Sequence, residues 1–233
     1  MTAGAPGVVI PRTDDGWPLA DMQVVGEVLE RFPDLRMSFE EYLTLDEDFF
    51  GEWIDGQVEI RPCQGRAHHE AMGFLSVAFR WYVDRTDPRD GTTLRGFVMR
   101  PSGLPARMVD LLYVAPEHED RIKHVFVDGP ADIVVEVVED ESRHRDTVEK
   151  FREYERGGVR GYWIVDPVRK EAQVWRLIDG RYEPMPLGDP PALRSEVLEG
   201  LWILPEWIWE DRDRFEVMRE WGFEIPPRRR RHT

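Results

Sequence analysis

Two acidic side chains interrupt segments that otherwise read as buried β-strand. Asp110 lies within Met108-Val109-Asp110-Leu111-Leu112-Tyr113-Val114, and Glu136 within Ile133-Val134-Val135-Glu136-Val137-Val138. A carboxylate in a half-buried sheet is costly unless a cation or hydrogen-bond donors meet it. On neighbouring strands the two could point into one cleft and share a hard divalent ion such as magnesium, whose ligands are oxygens. An ion held there would orient an attacking water and stabilise charge on a phosphate. Edge positions facing solvent, or buried ion pairs to arginine, are the other arrangements open to the same two residues.

Lys150 follows on the next helical segment, one turn before Tyr154 and beside the apolar positions Val148 and Phe151. Its stem could lie along that apolar face while the ammonium reaches the end of the Glu136 strand. Alternatively, Asp146 and Lys150 form an exposed i,i+4 ion pair worth about 0.3–0.5 kcal/mol. Glu52, just before a hairpin, can face either solvent or cleft. His68 opens a helix, where a capping or surface role is the simpler assignment. It cannot chelate a metal together with His69, because adjacent helical residues diverge by about 100°.

These side chains need elements to hold them. Met22, Val25, Val28 and Leu29 recur at helical spacing between Leu19 and Phe32. Ser38-Phe39-Glu40-Glu41 fits a capping box, so a short helix is expected from Ser38 toward Leu43 or Thr44. Residues flanking Asp55-Gly56, and later Asp179-Gly180, alternate as hairpins do. A helix is read over His68–Val83, with Met72, Leu75, Phe79 and Tyr82 on one face. Strands follow at Leu94–Arg100, Met108–Val114 and Ile133–Val138, and a helix at Arg145–Arg156 stops at Gly157-Gly158. Tyr162–Val165 is a strand, and Ala172–Leu177 with Tyr182–Met185 form the second hairpin. The Trp-rich stretch carrying Trp202, Trp207, Trp209 and Trp221 is expected to cap the core. One mixed α/β domain results. A leader and helix occupy residues 1–37, the domain 38–190, the cap 191–225 and a basic tail 226–233.

Composition narrows the function classes. The 233 residues carry 31 Lys+Arg against 46 Asp+Glu, a net charge of −15, and are 41% hydrophobic, enough to exclude a wholly disordered chain. The lone Cys63 excludes a disulfide framework and a multi-cysteine zinc site. No apolar run approaches the ~18 residues a membrane span needs, and the first residues lack a secretory signal, so a cytoplasmic setting is expected. The acidity argues against a general nucleic-acid coat. It is uneven, however: residues 1–50 are net −8, residues 66–107 are net +3, and the chain ends with Arg228 to Arg231 before His232.

In order, these pieces resemble the Uma2 family (DUF820), a bacterial group described as endonucleases with the PD-(D/E)xK restriction-endonuclease-like fold. The resemblance runs over roughly residues 38–185. It rests on Glu52-Trp53-Ile54-Asp55-Gly56, on Pro62 and His68, on Val109-Asp110, on the Glu136 strand, on Lys150 with Tyr154, and on Gly158-Val159-Arg160-Gly161-Tyr162-Trp163-Ile164-Val165-Asp166. It implies a central mixed β-sheet flanked by helices, with terminal extensions. It also implies a Mg2+ (or Mn2+) ion on Asp110 and Glu136 with the Val137 carbonyl as third ligand. Lys150 would assist the attacking water, Glu52 would complete the acidic cluster, and His68, Arg107 and Tyr154 would contact substrate. The expected activity is hydrolysis of DNA phosphodiester bonds. The other classes considered are an idle scaffold of the same fold and a hydrolase of small phosphate esters. DNA is the expected partner, with no membrane association and a homodimer left open. Its phosphates would meet Arg95, Arg100 and Arg107, and more weakly Arg143, Arg145 and the tail. The chain departs from the family pattern in three places. Val109 replaces a proline, Val138 stands where the wider fold has its lysine, and Glu139-Asp140-Glu141 replaces a neutral Ser-Pro-Ser stretch. Three acids there attract cations and repel phosphate.

Overall fold

The two apolar strands that carry Asp110 and Glu136 lie side by side in the middle of a seven-stranded mixed sheet. The computed structural model describes residues 36–45, 51–61, 64–86, 91–210 and 212–224. The segment read as a helix over Leu19–Phe32, and the Arg228–Arg231 tail, lie outside the described residues. The chain opens with α1 (Phe39–Tyr42) and the hairpin β1 (Gly51–Ile54) and β2 (Gln57–Ile60), then α2 (Arg66–Thr86). The sheet strands are β3 (Thr92–Arg100), β4 (Arg107–Val114), β5 (Phe126–Asp128), β6 (Ile133–Val137), β7 (Gly161–Asp166), β8 (Glu171–Ile178) and β9 (Arg181–Pro184). Their order is β5-β3-β4-β6-β7-β8-β9. β6 and β7 are parallel and joined through α3 (Lys150–Gly157), while β4 runs antiparallel to β6.

Every residue of β4 and β6 is buried, because helices cover both faces, the usual setting for continuous apolar runs. On one face α2 packs Phe74, Leu75, Phe79 and Val83 against Leu111, Val135 and Trp163. The chain beyond residue 190 seals the same face through Leu193, Leu201, Ile203 and Trp207, using β10 (Leu193–Arg194), β11 (Trp202–Ile203), α4 (Glu206–Trp209) and α5 (Arg214–Glu220). On the other face α3 sets Tyr154 against Leu112, Val134 and Tyr162. A smaller cluster of Phe39, Tyr42, Val98, Ala106 and Met108 joins α1 and the first hairpin to the sheet.

Local chemistry explains most boundaries. Glu41 N–H donates to Ser38 Oγ at 3.1 Å and Ser38 N–H to Glu41 Oε2 at 2.7 Å, a closed capping box. The turns at Asp55-Gly56 (φ +49 and +93) and Asp179-Gly180 (φ +48 and +76) use the paired positive angles of tight hairpins. Gly158, at φ +86, caps α3. The helix read as starting at Arg145 differs from expectation. Arg145–Glu149 is a π turn, and regular α-helix begins at Lys150. The 3-10 helix Pro116–Arg121 and β5 have no counterpart in the sequence reading, since three residues are too short to show alternation.

Phe79 has no exposed surface and meets the Trp163 ring edge-on at 5.3 Å, so it fastens α2 to the sheet. Phe79→Ala is expected to cost about 3–5 kcal/mol, read as a lower urea midpoint with an unchanged slope. A loss under 1 kcal/mol would mean that α2 does not carry this face.

Candidate active site

Among the described residues, seven of the ten buried polar or charged ones gather in one place: Glu52, His68, Arg107, Asp110, Glu136, Asp146 and Lys150. They come from β1, α2, β4, β6, the π turn and α3. The ladder between β4 and β6 ends at Leu111↔Val135, and Asp110 and Glu136 are the next residues outward on each strand. Here the side chain continues what the backbone began, as Val137 N–H donates to Asp110 Oδ2 at 2.8 Å. On the other flank the β3–β4 pairing skips from Arg95↔Leu111 to Phe97↔Val109. The residue left opposite Asp110 is Gly96, at φ +53, where a side chain would strain the backbone.

Lys150 holds the centre. Its ammonium is fully buried and donates to Glu136 Oε1 (2.9 Å) and to the Met108 carbonyl (3.0 Å). Glu52 Oε1 and Asp146 Oδ1 lie 3.1 and 3.5 Å away as ion-pair contacts. The exposed Asp146–Lys150 pair considered from the sequence is therefore not what forms, since neither residue has any exposed surface. The π turn sets Asp146 at this depth, and such turns recur at functional sites. Burial works against the ammonium, but Glu136, Glu52 and Asp146 together raise its pKa above the usual lysine value.

Around Lys150 the carboxyl groups divide. Burial alone would push Glu52 up, yet Lys150 and Arg107 outweigh it and bring its pKa down to about 2. Burial pushes Glu136 up, Asp110 and Asp146 add to this, and Lys150 offsets only part, leaving it at about 8. Burial also lifts the Tyr154 phenol far above its ordinary value, so it stays a neutral donor, bonding Glu136 Oε1 at 2.9 Å. Against its own burial, Asp110 is held below the usual carboxylate range by His68, Arg61 and Lys150.

Arg107 does not reach outward toward a substrate. It is 2% exposed, donates to Glu52 Oε2 at 2.9 Å and grips Glu153 through two bonds of 2.7 Å. The pairing follows from the backbone, because Trp53 and Ala106 exchange both hydrogen bonds and so make Glu52 and Arg107 cross-strand neighbours. Tyr154 is likewise enclosed, and its contact is Glu136. Arg100 lies over the rings of Phe39 and Trp53 at 4.0 and 4.8 Å, while Arg95 is exposed. Arg143 pairs with Asp166 and Arg145 with Asp146.

A cleft of about 160 Å3 opens beside Asp110, lined by Arg61, Gln64, His68, Val137, Glu139 and Arg145 among others. Arg61 NH1 and Gln64 Nε2 donate to Asp110 Oδ1 at 3.2 and 3.3 Å, and His68 Nε2 lies 3.2 Å from Oδ2. Arg61, Gln64 and Asp146 were not among the residues singled out as site candidates. Asp146 did show its i,i+4 spacing to Lys150, but nothing in residue type marks Arg61 or Gln64. Two of the three extra acids are engaged. Glu139 Oε1 accepts Gly65 N–H at 2.8 Å, and Asp140 pairs with Arg169 at 2.9 Å.

The residues present suit a hard divalent cation. Glu136 Oε2 is buried with no hydrogen-bond partner, and carboxylate plus main-chain oxygen is the donor type such ions take. Among the described residues no three Asp, Glu, His or Cys side chains form a ready metal cage. Asp110, Glu136, the Val137 carbonyl and water would have to suffice.

The family model Uma2, described as "Putative restriction endonuclease", matches residues 39–230 of the chain. Among solved structures, a putative nuclease belonging to DUF820 from Anabaena variabilis is similar in fold at a TM-score of 0.61 and 14% identity. That match covers 74% of this chain and 97% of the other. No curated protein matches the chain. Among the described residues no helix is long and apolar enough to cross a membrane.

Without metal, folding keeps a proton on Glu136 up to about pH 8, whereas the unfolded chain releases it near 4.5. The native state thus binds more protons in that window, so this stabilising contribution is complete below about 4.5 and is lost as pH rises through 8. In EDTA, thermal or urea unfolding of wild type and Glu136→Gln across this range should show wild type losing about 1 kcal/mol or more relative to the variant. Parallel pH profiles would mean that Glu136 is ionised throughout.

Proposed function

The chain belongs to the Uma2 family, and from that premise we propose that it is a divalent-metal-dependent endonuclease that hydrolyses phosphodiester bonds of DNA. The observation that carries this reading is the meeting of Asp110 and Glu136 where the pairing of the two central strands stops, with Lys150 bonded to Glu136. A bound Mg2+ or Mn2+ would supply Lewis acidity at the phosphate and a site for the attacking water. Asp110, Glu136 and the Val137 carbonyl would hold it. Lys150 and Tyr154 fix the Glu136 carboxyl through its Oε1, and the Lys150 charge favours the anionic transition state. Glu52 and Arg107 position Lys150. On the substrate side, Arg61, Arg145 and His68 line the cleft and offer donors to phosphate oxygens. Arg169 and Arg143 draw charge away from Asp140 and so reduce repulsion at its rim.

A second reading, an idle module of the same fold, is favoured by one observation. Both Asp110 oxygens already have partners in Arg61, Gln64, Val137 and His68.

The test is calorimetric titration of Mn2+ into wild type and Asp110→Asn, alongside nicking of supercoiled plasmid in Mg2+. Wild type should bind one ion and nick the plasmid. The variant should lose the site, with nicking reduced by about 100-fold or more, and EDTA should abolish activity. Metal binding without nicking would move the reading to another phosphate substrate, and neither activity would leave the idle module.

A further inference from the structure

Arg61 stands where an entering cation must go. Its NH1 donates to Asp110 Oδ1 at 3.2 Å and to the Met108 carbonyl at 3.1 Å, and its side chain is 8% exposed where it lines the cleft. Arg61 and Gln64 hold Asp110 Oδ1, while Oδ2 accepts the Val137 N–H and faces His68 Nε2 at 3.2 Å, so an ion that takes Oδ1 must displace a partner. The Val137 N–H belongs to the sheet and cannot leave. Gln64 is neutral and competes weakly. Arg61 carries a charge that an arginine does not lose by deprotonation, so it opposes a second cation at the same oxygen until it moves.

Arg61 is also held by fewer side-chain bonds than Arg107. Arg107, more deeply buried, is clamped by a two-bond grip on Glu153 and a third bond to Glu52, whereas Arg61 meets Asp110 through one nitrogen. A released guanidinium at the cleft wall has the planar fork that matches phosphate. We propose that Arg61 is a displaceable counter-cation: it neutralises Asp110 in the metal-free protein, yields that oxygen to a divalent ion, and then binds the phosphate of the substrate in the same cleft. The inference rests on the nuclease reading and adds a residue and an order of events to it.

The experiment titrates Mn2+ into wild type and Arg61→Gln and measures duplex oligonucleotide affinity over a salt series with Ca2+. Arg61→Gln is expected to bind Mn2+ about tenfold more tightly or better, as a competing charged hydrogen bond is gone. Its plot of log affinity against log salt should be shallower by about one. Unchanged or weaker Mn2+ binding overturns the displacement, and an unchanged salt slope overturns the phosphate role. Wild type that binds metal and cleaves, with a variant binding no tighter, sinks this inference alone. If neither protein binds metal, the nuclease reading falls with it. Should Arg61→Gln not fold, the charge-preserving Arg61→Lys assigns the Arg61 side-chain NMR resonance by its loss, and in wild type that resonance should shift on adding Mg2+. A resonance that stays in place refutes displacement.

Discussion

A lysine ammonium with no exposed surface, set among Glu52, Glu136, Asp146 and the Met108 carbonyl, is the contact on which the rest of the site depends. A lone buried charge would be severely destabilising, and so would three buried carboxylates without it. The four partners belong to β1, β4, β6 and the π turn before α3. Lys150 therefore ties the N-terminal hairpin and the βαβ unit to the sheet by charge, where apolar contacts alone would leave their relative depth loosely specified. Arg107 performs the same service one layer out, between Glu52 and Glu153.

Because α2 with the C-terminal segment covers one face and α3 the other, the strand positions carrying these groups are buried. Low polarity strengthens each ion pair and makes any unmatched charge costly. The cluster answers by matching charges nearly one for one: Asp110 with Arg61, Glu52 with Arg107 and Lys150, Asp146 with Arg145 and Lys150. Glu136 shares Lys150 with Glu52 and Asp146, and burial together with Asp110 and Asp146 outweighs that share and raises its pKa. A divalent ion would remove that imbalance, which is a physical reason for a buried acid in an otherwise apolar strand.

Much of this was legible in the chain. Unbroken apolar runs around Asp110 and Glu136 mark strands buried on both faces, and Asp-Gly pairs, Ser38 with Glu41, and Gly158 act through bonds within a few residues of themselves. The ordered motifs suffice to place the chain in its family. Less legible was the depth of Lys150. Spacing to Asp146 is the same whether the pair is exposed or buried, and only the packing of α3 against β6 decides between them. Arg107 was read as a phosphate contact because it precedes the Asp110 strand, yet the bridge between Trp53 and Ala106, 53 residues apart, turns it toward Glu52.

What the sequence determined by itself is most of the elements, among them the two apolar strands that carry Asp110 and Glu136, since these follow from periodicity and local hydrogen bonding. The tertiary structure alone decided which cation meets which carboxylate. Arg61 reaches Asp110 across 49 residues and Lys150 meets Glu52 across 98. Electrostatic partners at such separations are selected by where the backbone brings strand ends together, and no local pattern of residue types encodes that distance.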